Sequence, residues 1–375
     1  MIQRSLIALS LATLAISAHA QQTFKLGASL GLTGYLASID RPWRDGLQIA
    51  VDTVNAKGGV GGRKIELIIE DNRGEPQEAV TGYRKMITSD KVNAFASGCV
   101  SAGTFAAAST VVRAQLPMVL CSILPPQEAE VKWAFSTIPV ARFEVEKRFE
   151  YLRDHTQIKK VGLLHDPTPY ANLQKVAAEK SFANYGLEIV GIETYKLDDA
   201  DMSVQINKLA SAGAGAILKI GVGGTTVTAA RNIKSLGLNV LMLTSIEDLA
   251  VFRPAAEVLG DKFFFVAAPT QVFEALPEGP LKKAISDFST PWKAKHGDRD
   301  PTWAARAWDA VMIIVTAAEN QKAADGTKIR DGIEALNAYQ GTTGIYRFSP
   351  TNHYGITENP YRLAAIEGGK VKIVK

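Results

Sequence analysis

Ser101-Ala-Gly-Thr104 is the stretch best suited to chemistry. An apolar run that reads as a strand ends just before it, and a helical pattern begins within it. A helix start leaves amide N–H groups without partners, and the hydroxyls of Ser101 and Thr104 add donors. Such a cluster suits a carboxylate or another anion, because the helix dipole places partial positive charge there. The plain alternative is a serine that only caps its helix. Cys121-Ser122 closes the next apolar run and so falls beside it, outside the carboxyl ends of strands, where open α/β sheets bind ligands. Tyr170 follows Asp166-Pro-Thr-Pro169 at the end of a later strand. There it either covers an apolar ligand or packs at a helix start.

Other motifs are weaker. Gly27-Ala-Ser29-Leu-Gly31 has the spacing of a nucleophile elbow, but loop-like Leu32-Thr33-Gly34 follows it where that motif needs a helix. Strand alternation accounts for Ser29 without catalysis. Gly221-Val-Gly223-Gly224 lies between a strand and a helix, yet Thr226 breaks the dinucleotide fingerprint and Glu247 comes late for a ribose contact. His155, His165, His296 and His353 show no metal-ligand spacing with one another or with the cysteines, so no metal and no cofactor is expected. Cys99 and Cys121 each end a short apolar run. Either they are bridged, as adjacent strand ends in an oxidising compartment permit, or they pack as free thiols.

The elements that must position these residues alternate. Strand-like runs at Phe24–Leu30, Lys64–Glu70, Val92–Gly98 and Met118–Cys121 are separated by helical stretches at Trp43–Asn55, Pro76–Ser89 and Ala102–Gln115. After a break from Leu124 to Pro139 the rhythm restarts with strands at Val161–His165, Ile189–Tyr195, Ala216–Gly221, Val240–Leu243 and Lys262–Ala268. Helices Leu281–His296, Thr302–Asn320 and Ile329–Ala338 follow, and the tail reads as a hairpin about Gly368-Gly369. This order predicts α/β architecture with two doubly wound parallel-sheet lobes.

Composition narrows the function. Arg4, the apolar stretch Leu6–Ile16 and Ala18-His-Ala20 form an expected signal peptide over residues 1–20. Its apolar run is too short for a bilayer, which needs roughly 20 residues. An apolar fraction of 46% and a charged fraction of 21% suit a folded soluble protein. The net charge of +4 carries no basic cluster, which argues against nucleic acid or an anionic membrane as partner.

Several stretches together resemble the leucine/isoleucine/valine-binding family of type I periplasmic binding proteins. They are Leu26–Gly34, Gly46–Asp52 running into Asn55-Ala-Lys-Gly-Gly-Val-Gly-Gly62, Ile68–Asp71, Val161–Tyr170 and, more weakly, Trp308-Asp-Ala310. The resemblance implies a ligand between lobes joined by three crossovers near Pro139, Ala267 and Pro350. Lobe 1 would comprise residues 21–139 and 268–350, and lobe 2 residues 140–267 and 351–375. By the same resemblance, Ser101, Ala102, Gly103, Thr104, Ser122 and Ile123 would grip a carboxylate. Tyr170 would close over the ligand, and Glu247 would meet an ammonium, with Ile246 competing for that place. Two departures weigh against a standard branched-chain amino acid: Val222-Gly-Gly224 lacks the family's second tyrosine, and Ser122-Ile-Leu-Pro-Pro126 is unusually apolar. The expectation is a monomeric, non-enzymatic periplasmic component that delivers an amino acid or a related small carboxylate to an ABC permease. The alternatives are a binder of aromatic or aliphatic carboxylates, or a sensor that feeds a membrane receptor.

Overall fold

The computed structural model describes residues 23–374. The expected signal peptide lies outside them. The first half runs β1 (Phe24–Leu30), α1 (Ala37–Ala56), β2 (Ile65–Asp71), α2 (Pro76–Lys85), β3 (Ala94–Ser97), α3 (Ser101–Ala114), β4 (Met118–Leu120), α4 (Glu128–Val131) and β5 (Ala134–Ser136). The second half follows with α5 (Arg142–His155), β6 (Lys160–His165), α6 (Pro169–Ser181), β7 (Glu188–Thr194), α7 (Ser203–Ser211), β8 (Ala216–Ile220), α8 (Thr225–Ser235), β9 (Leu241–Thr244), α9 (Leu249–Leu259) and β10 (Phe263–Ala267). The chain ends in α10 (Pro280–His296), α11 (Thr302–Gln321), α12 (Gly326–Glu334), β11 (Tyr339–Gln340), β12 (Ile345–Tyr346), β13 (Arg362–Glu367) and β14 (Lys370–Ile373).

Two sheets form the two α/β lobes. The first has the order β2-β1-β3-β4-β5 and is parallel throughout. The second has the order β14-β13-β10-β9-β8-β6-β7, with β13 and β14 antiparallel at one edge. The chain leaves the first sheet after β5, comes back to pack α11 on β3 and β4, and crosses again into β13. Strands β1, β3, β4, β8 and β10 are buried almost end to end, because helices cover both faces of a parallel sheet.

Local chemistry sets several helix starts. Pro76 and Pro169 open α2 and α6, where a missing N–H costs nothing. Thr168, Asp248 and Asp325 cap α6, α9 and α12 with side-chain oxygens. Several elements escape the sequence pattern, among them α4 and β5 within the break and the short β11 and β12. Helix α1 begins at Ala37, ahead of Trp43, and carries Pro42 inside it. Helix α5 lies between the break and the restart at Val161, hidden because its apolar Phe143, Val145, Phe149 and Leu152 are diluted by charge. Helix α9 carries Pro254, a residue that normally argues against a helix interior.

Helix α11 packs along α1, and Gly46 is the reason it can. A Cβ at that position would sit 2.2 Å from the Ala304 carbonyl oxygen, so only glycine admits the approach. Asp309, one turn further along, accepts from the Thr342 amide and hydroxyl and from Tyr346 Oη. It thereby ties α11 to the loop that holds β11 and β12.

Candidate functional site

The carboxyl ends of both sheets meet at one partly open cavity with about 540 Å³ of space free of atoms, open solvent included. From lobe 1 come Tyr35, Leu36 and Ile39 around the start of α1, Ser101 and Ala102 at the start of α3, and Cys99 and Cys121. From lobe 2 come Glu144, the Thr168-Pro169-Tyr170 turn, Val222 and Ile246. Helix α11 adds Trp303 and Arg306, and Tyr361 precedes β13. The wall is therefore mostly apolar and aromatic, with few charged groups.

Arg306 is the cation of this cavity. It is 1% exposed, and its Nη1 has no hydrogen-bond partner among the described residues. Nη2 donates to Tyr361 Oη at 3.2 Å, and the guanidinium carbon lies 5.0 Å from the Trp303 ring centroid and 5.8 Å from that of Tyr361. Burial works against its charge, but Tyr361, Tyr346 and Glu144 more than offset this and hold its pKa above the ordinary value. A buried guanidinium donor without an acceptor is costly, and a ligand carboxylate is the group that would match it.

The start of α3 supplies a second set of donors. Its cap residue, Val100, offers no side-chain bond, so Ser101 does not cap the helix; it stands in the first turn facing the cavity. Asp40 builds the turn before it, accepting from the Gly31 amide at 2.6 Å and the Cys99 amide at 2.9 Å. Burial pushes the Asp40 carboxyl up to about 6. A Cβ on Gly98 would fall 2.4 Å from an Asp40 oxygen, which leaves this turn no freedom. Cys99 and Cys121 are joined by a disulfide with Cα atoms 4.5 Å apart, and none of the described cysteines is free.

The structure brings only some of the expected residues together. Ser101, Ala102 and Tyr170 line the cavity; Gly103, Thr104, Ser122, Ile123 and Glu247 do not. Gly103 serves packing, since a Cβ there would meet that of Ala79 at 2.9 Å. Thr104 and Ser122 face each other at 3.4 Å within the lobe, and the Ser122 hydroxyl also bonds the Ile123 carbonyl. Ile123 faces a separate groove. Glu247 uses both oxygens on backbone, accepting from the Gly223 amide at 2.6 Å and the Asp248 amide at 2.9 Å. The carboxylate expected to meet an ammonium therefore braces the Val222-Gly223-Gly224 loop, and Ile246 takes the place at the cavity.

A different acid stands there. Glu144 accepts from Tyr170 Oη and from the Ile246 amide at 2.9 Å. Burial first, and then the Glu144 charge, push the Tyr170 phenol well above its usual range, so it stays a donor. Arg148 packs behind this pair, bonding Gln174 and the Glu144 carbonyl. The remaining motifs have structural explanations. The Ser29 hydroxyl accepts from Asn72 at 2.9 Å, and Gly221 and Gly223 adopt φ of 117° and 86° in a tight turn.

Arg306, Trp303, Tyr361, Tyr35 and Glu144 were absent from the sequence-derived set. One signal was present: Arg306 is a lone charge in Trp303-Ala-Ala-Arg-Ala, and Trp303 and Arg306 share a face three residues apart.

Residues 23–370 match a family described as periplasmic binding protein. The leucine-, isoleucine-, valine-, threonine- and alanine-binding protein of Pseudomonas aeruginosa is 24% identical over 354 residues, covering 92% of this chain and 91% of its own length. The chain belongs to the leucine/isoleucine/valine-binding family of type I periplasmic binding proteins. A Leu/Ile/Val-binding protein homolog of Brucella abortus is likewise 24% identical, over 93% of this binding protein and 91% of the homolog. Among solved structures, an extracellular ligand-binding receptor from Rhodopseudomonas palustris superposes with a TM-score of 0.85 at 22% identity, over 94% and 99% of the two chains. The substrate-binding protein LivJ of Streptococcus pneumoniae, in complex with isoleucine, gives 0.78 at 23% identity, over 94% and 100%. These structures share the fold of this periplasmic binding protein.

Proposed function

We propose that this protein is the monomeric solute-binding component of a periplasmic ABC importer, and that it captures a small carboxylate with an apolar body. The lobes are taken as residues 21–139 with 268–350, and residues 140–267 with 351–375. The observation that carries the ligand class is the buried, unpartnered Nη1 of Arg306 beside the start of α3. Arg306, the Ser101 hydroxyl and the Ser101-Ala102 amides share the carboxylate, while Leu36, Ile39, Ile138, Val222 and Ile246 surround the apolar remainder. Tyr170 closes from lobe 2. Contacts from both lobes are needed, because only interactions that differ between open and closed forms shift that equilibrium.

The family's amino-acid binders, and the names of the relatives above, favour a second reading in which the ligand also carries an ammonium. Glu144 is then its acceptor, since it lines the cavity and Glu247 does not. Two ligands of nearly the same shape separate the readings: L-leucine and 4-methylpentanoate, which lacks only the amino group. Thermal-shift measurements with both, together with benzoate and phenylacetate, form the test. A ligand at 100 times its Kd stabilises by about 2.7 kcal/mol. Stabilisation by the amine-free acids and not by leucine supports the first reading, leucine alone supports the second, and no response to any of them sinks the carboxylate assignment. Permease and ATPase genes beside this one favour uptake over sensing.

A further inference from the structure

We propose that the Cys99–Cys121 disulfide is a working wall of the ligand cavity, which positions the first turn of α3 for the carboxylate. This rests on the reading of the cavity given above. Both half-cystines line it, and their bond joins the residue two before Ser101 to the end of β4. Cys121 is 2% exposed, and its amide donates to the Ser97 carbonyl at 3.2 Å, which fixes one anchor in the sheet. The other anchor, Cys99, is held through its amide by Asp40. The Ser101 and Ala102 amides thus sit on a turn clamped from the sheet by sulfur and from α1 by a carboxylate.

A disulfide remote from a site acts mainly on the unfolded chain and leaves affinity alone. One built into the wall sets affinity as well, because a displacement of the donors by a fraction of an ångström weakens every bond to a rigid anion. The two roles are therefore separable.

The experiment compares wild type with Cys99→Ser/Cys121→Ser and with Cys99→Ala/Cys121→Ala, the alanine pair controlling for hydroxyls placed in the wall. Hydrogen exchange is followed over residues 98–108 and, as a remote reference, 225–235. Affinity for 4-methylpentanoate, benzoate, phenylacetate and L-leucine is measured by calorimetry. The proposal expects exchange at 101–108 at least tenfold faster in both variants with the reference unchanged, and at least tenfold weaker binding of whichever acid wild type takes. Exchange that rises no more at 101–108 than in the reference overturns it, as does affinity within twofold of wild type. If wild type binds none of the acids, the ligand reading fails and exchange alone decides the positioning role. Should neither variant fold, wild type reduced by a water-soluble phosphine serves instead. The phosphine becomes its oxide with oxygen from water, and the disulfide becomes two thiols.

Discussion

Asp40 and Glu247 do the same job on opposite rims of the cavity, with opposite consequences for the ligand. Each is a buried carboxylate that accepts two backbone amides and holds adjoining loops together. In lobe 1 the brace stands behind the turn, so the start of α3 keeps its donors for the cavity. In lobe 2 the brace is the acid at the strand end itself, and the surface left facing the ligand is the side chain of Ile246. The first rim is polar through its backbone and the second apolar through its side chains. A residue's place at a strand end therefore does not decide its role; where its oxygens are already used does.

The largest test of that contrast is Arg306, the cation that completes the polar rim. Arg306→Ala should cost about 2–5 kcal/mol of binding, as expected for one partner of a buried charge pair. Arg306→Lys should recover little, because the bidentate fork is lost. Calorimetry with the acids named above reads both, and near-wild-type affinity in the alanine variant would place the carboxylate elsewhere. Next comes Ser101→Ala, which should weaken binding by roughly 1.5–3 kcal/mol, the scale of one hydrogen bond to a charged group. Thr104→Val, three residues further and out of the cavity, should leave affinity unchanged; equal losses would restore the wider cluster.

The Asp40 brace predicts a pH effect. Its folded pKa of about 6 lies above the unfolded value, so its contribution is full below about 4 and disappears as pH rises through 6. Urea midpoints at pH 4.5 and 7 should show wild type losing on the order of 2 kcal/mol from this group. Asp40→Asn should lack that component, and an identical pH difference in the variant would refute it. The smallest ligand effect belongs to Glu247→Gln. Losing one backbone bond should lower stability by about 1 kcal/mol while affinity stays within twofold. A large loss of affinity with unchanged stability would return Glu247 to the cavity.

The α/β order and most strands were legible because alternation between short apolar runs and amphipathic stretches is a local signal. Strand β1 and helix α3 differ from their sequence bounds by at most a residue. Helices α5 and α9 were hidden by charge and by an internal proline, which packing overrides. Ser101 and Tyr170 were visible as local motifs at strand ends. Arg306 and Tyr361 come from distant segments and meet only through tertiary contact. Glu247 was misplaced because sequence gives a carboxylate's position, not the amides that occupy it.

The contact of Gly46 with Ala304 joins helices from opposite ends of the chain. Five of the seven strands of the second sheet are therefore synthesised before α11 exists to complete the first lobe. Contacts this far apart in sequence form late, since the intervening chain must be ordered before they are made. Arg306 and Trp303 arrive on that late helix. A chain arrested before α11 docks has two partial walls and no cation, and a solute that requires Arg306 distinguishes finished molecules from unfinished ones.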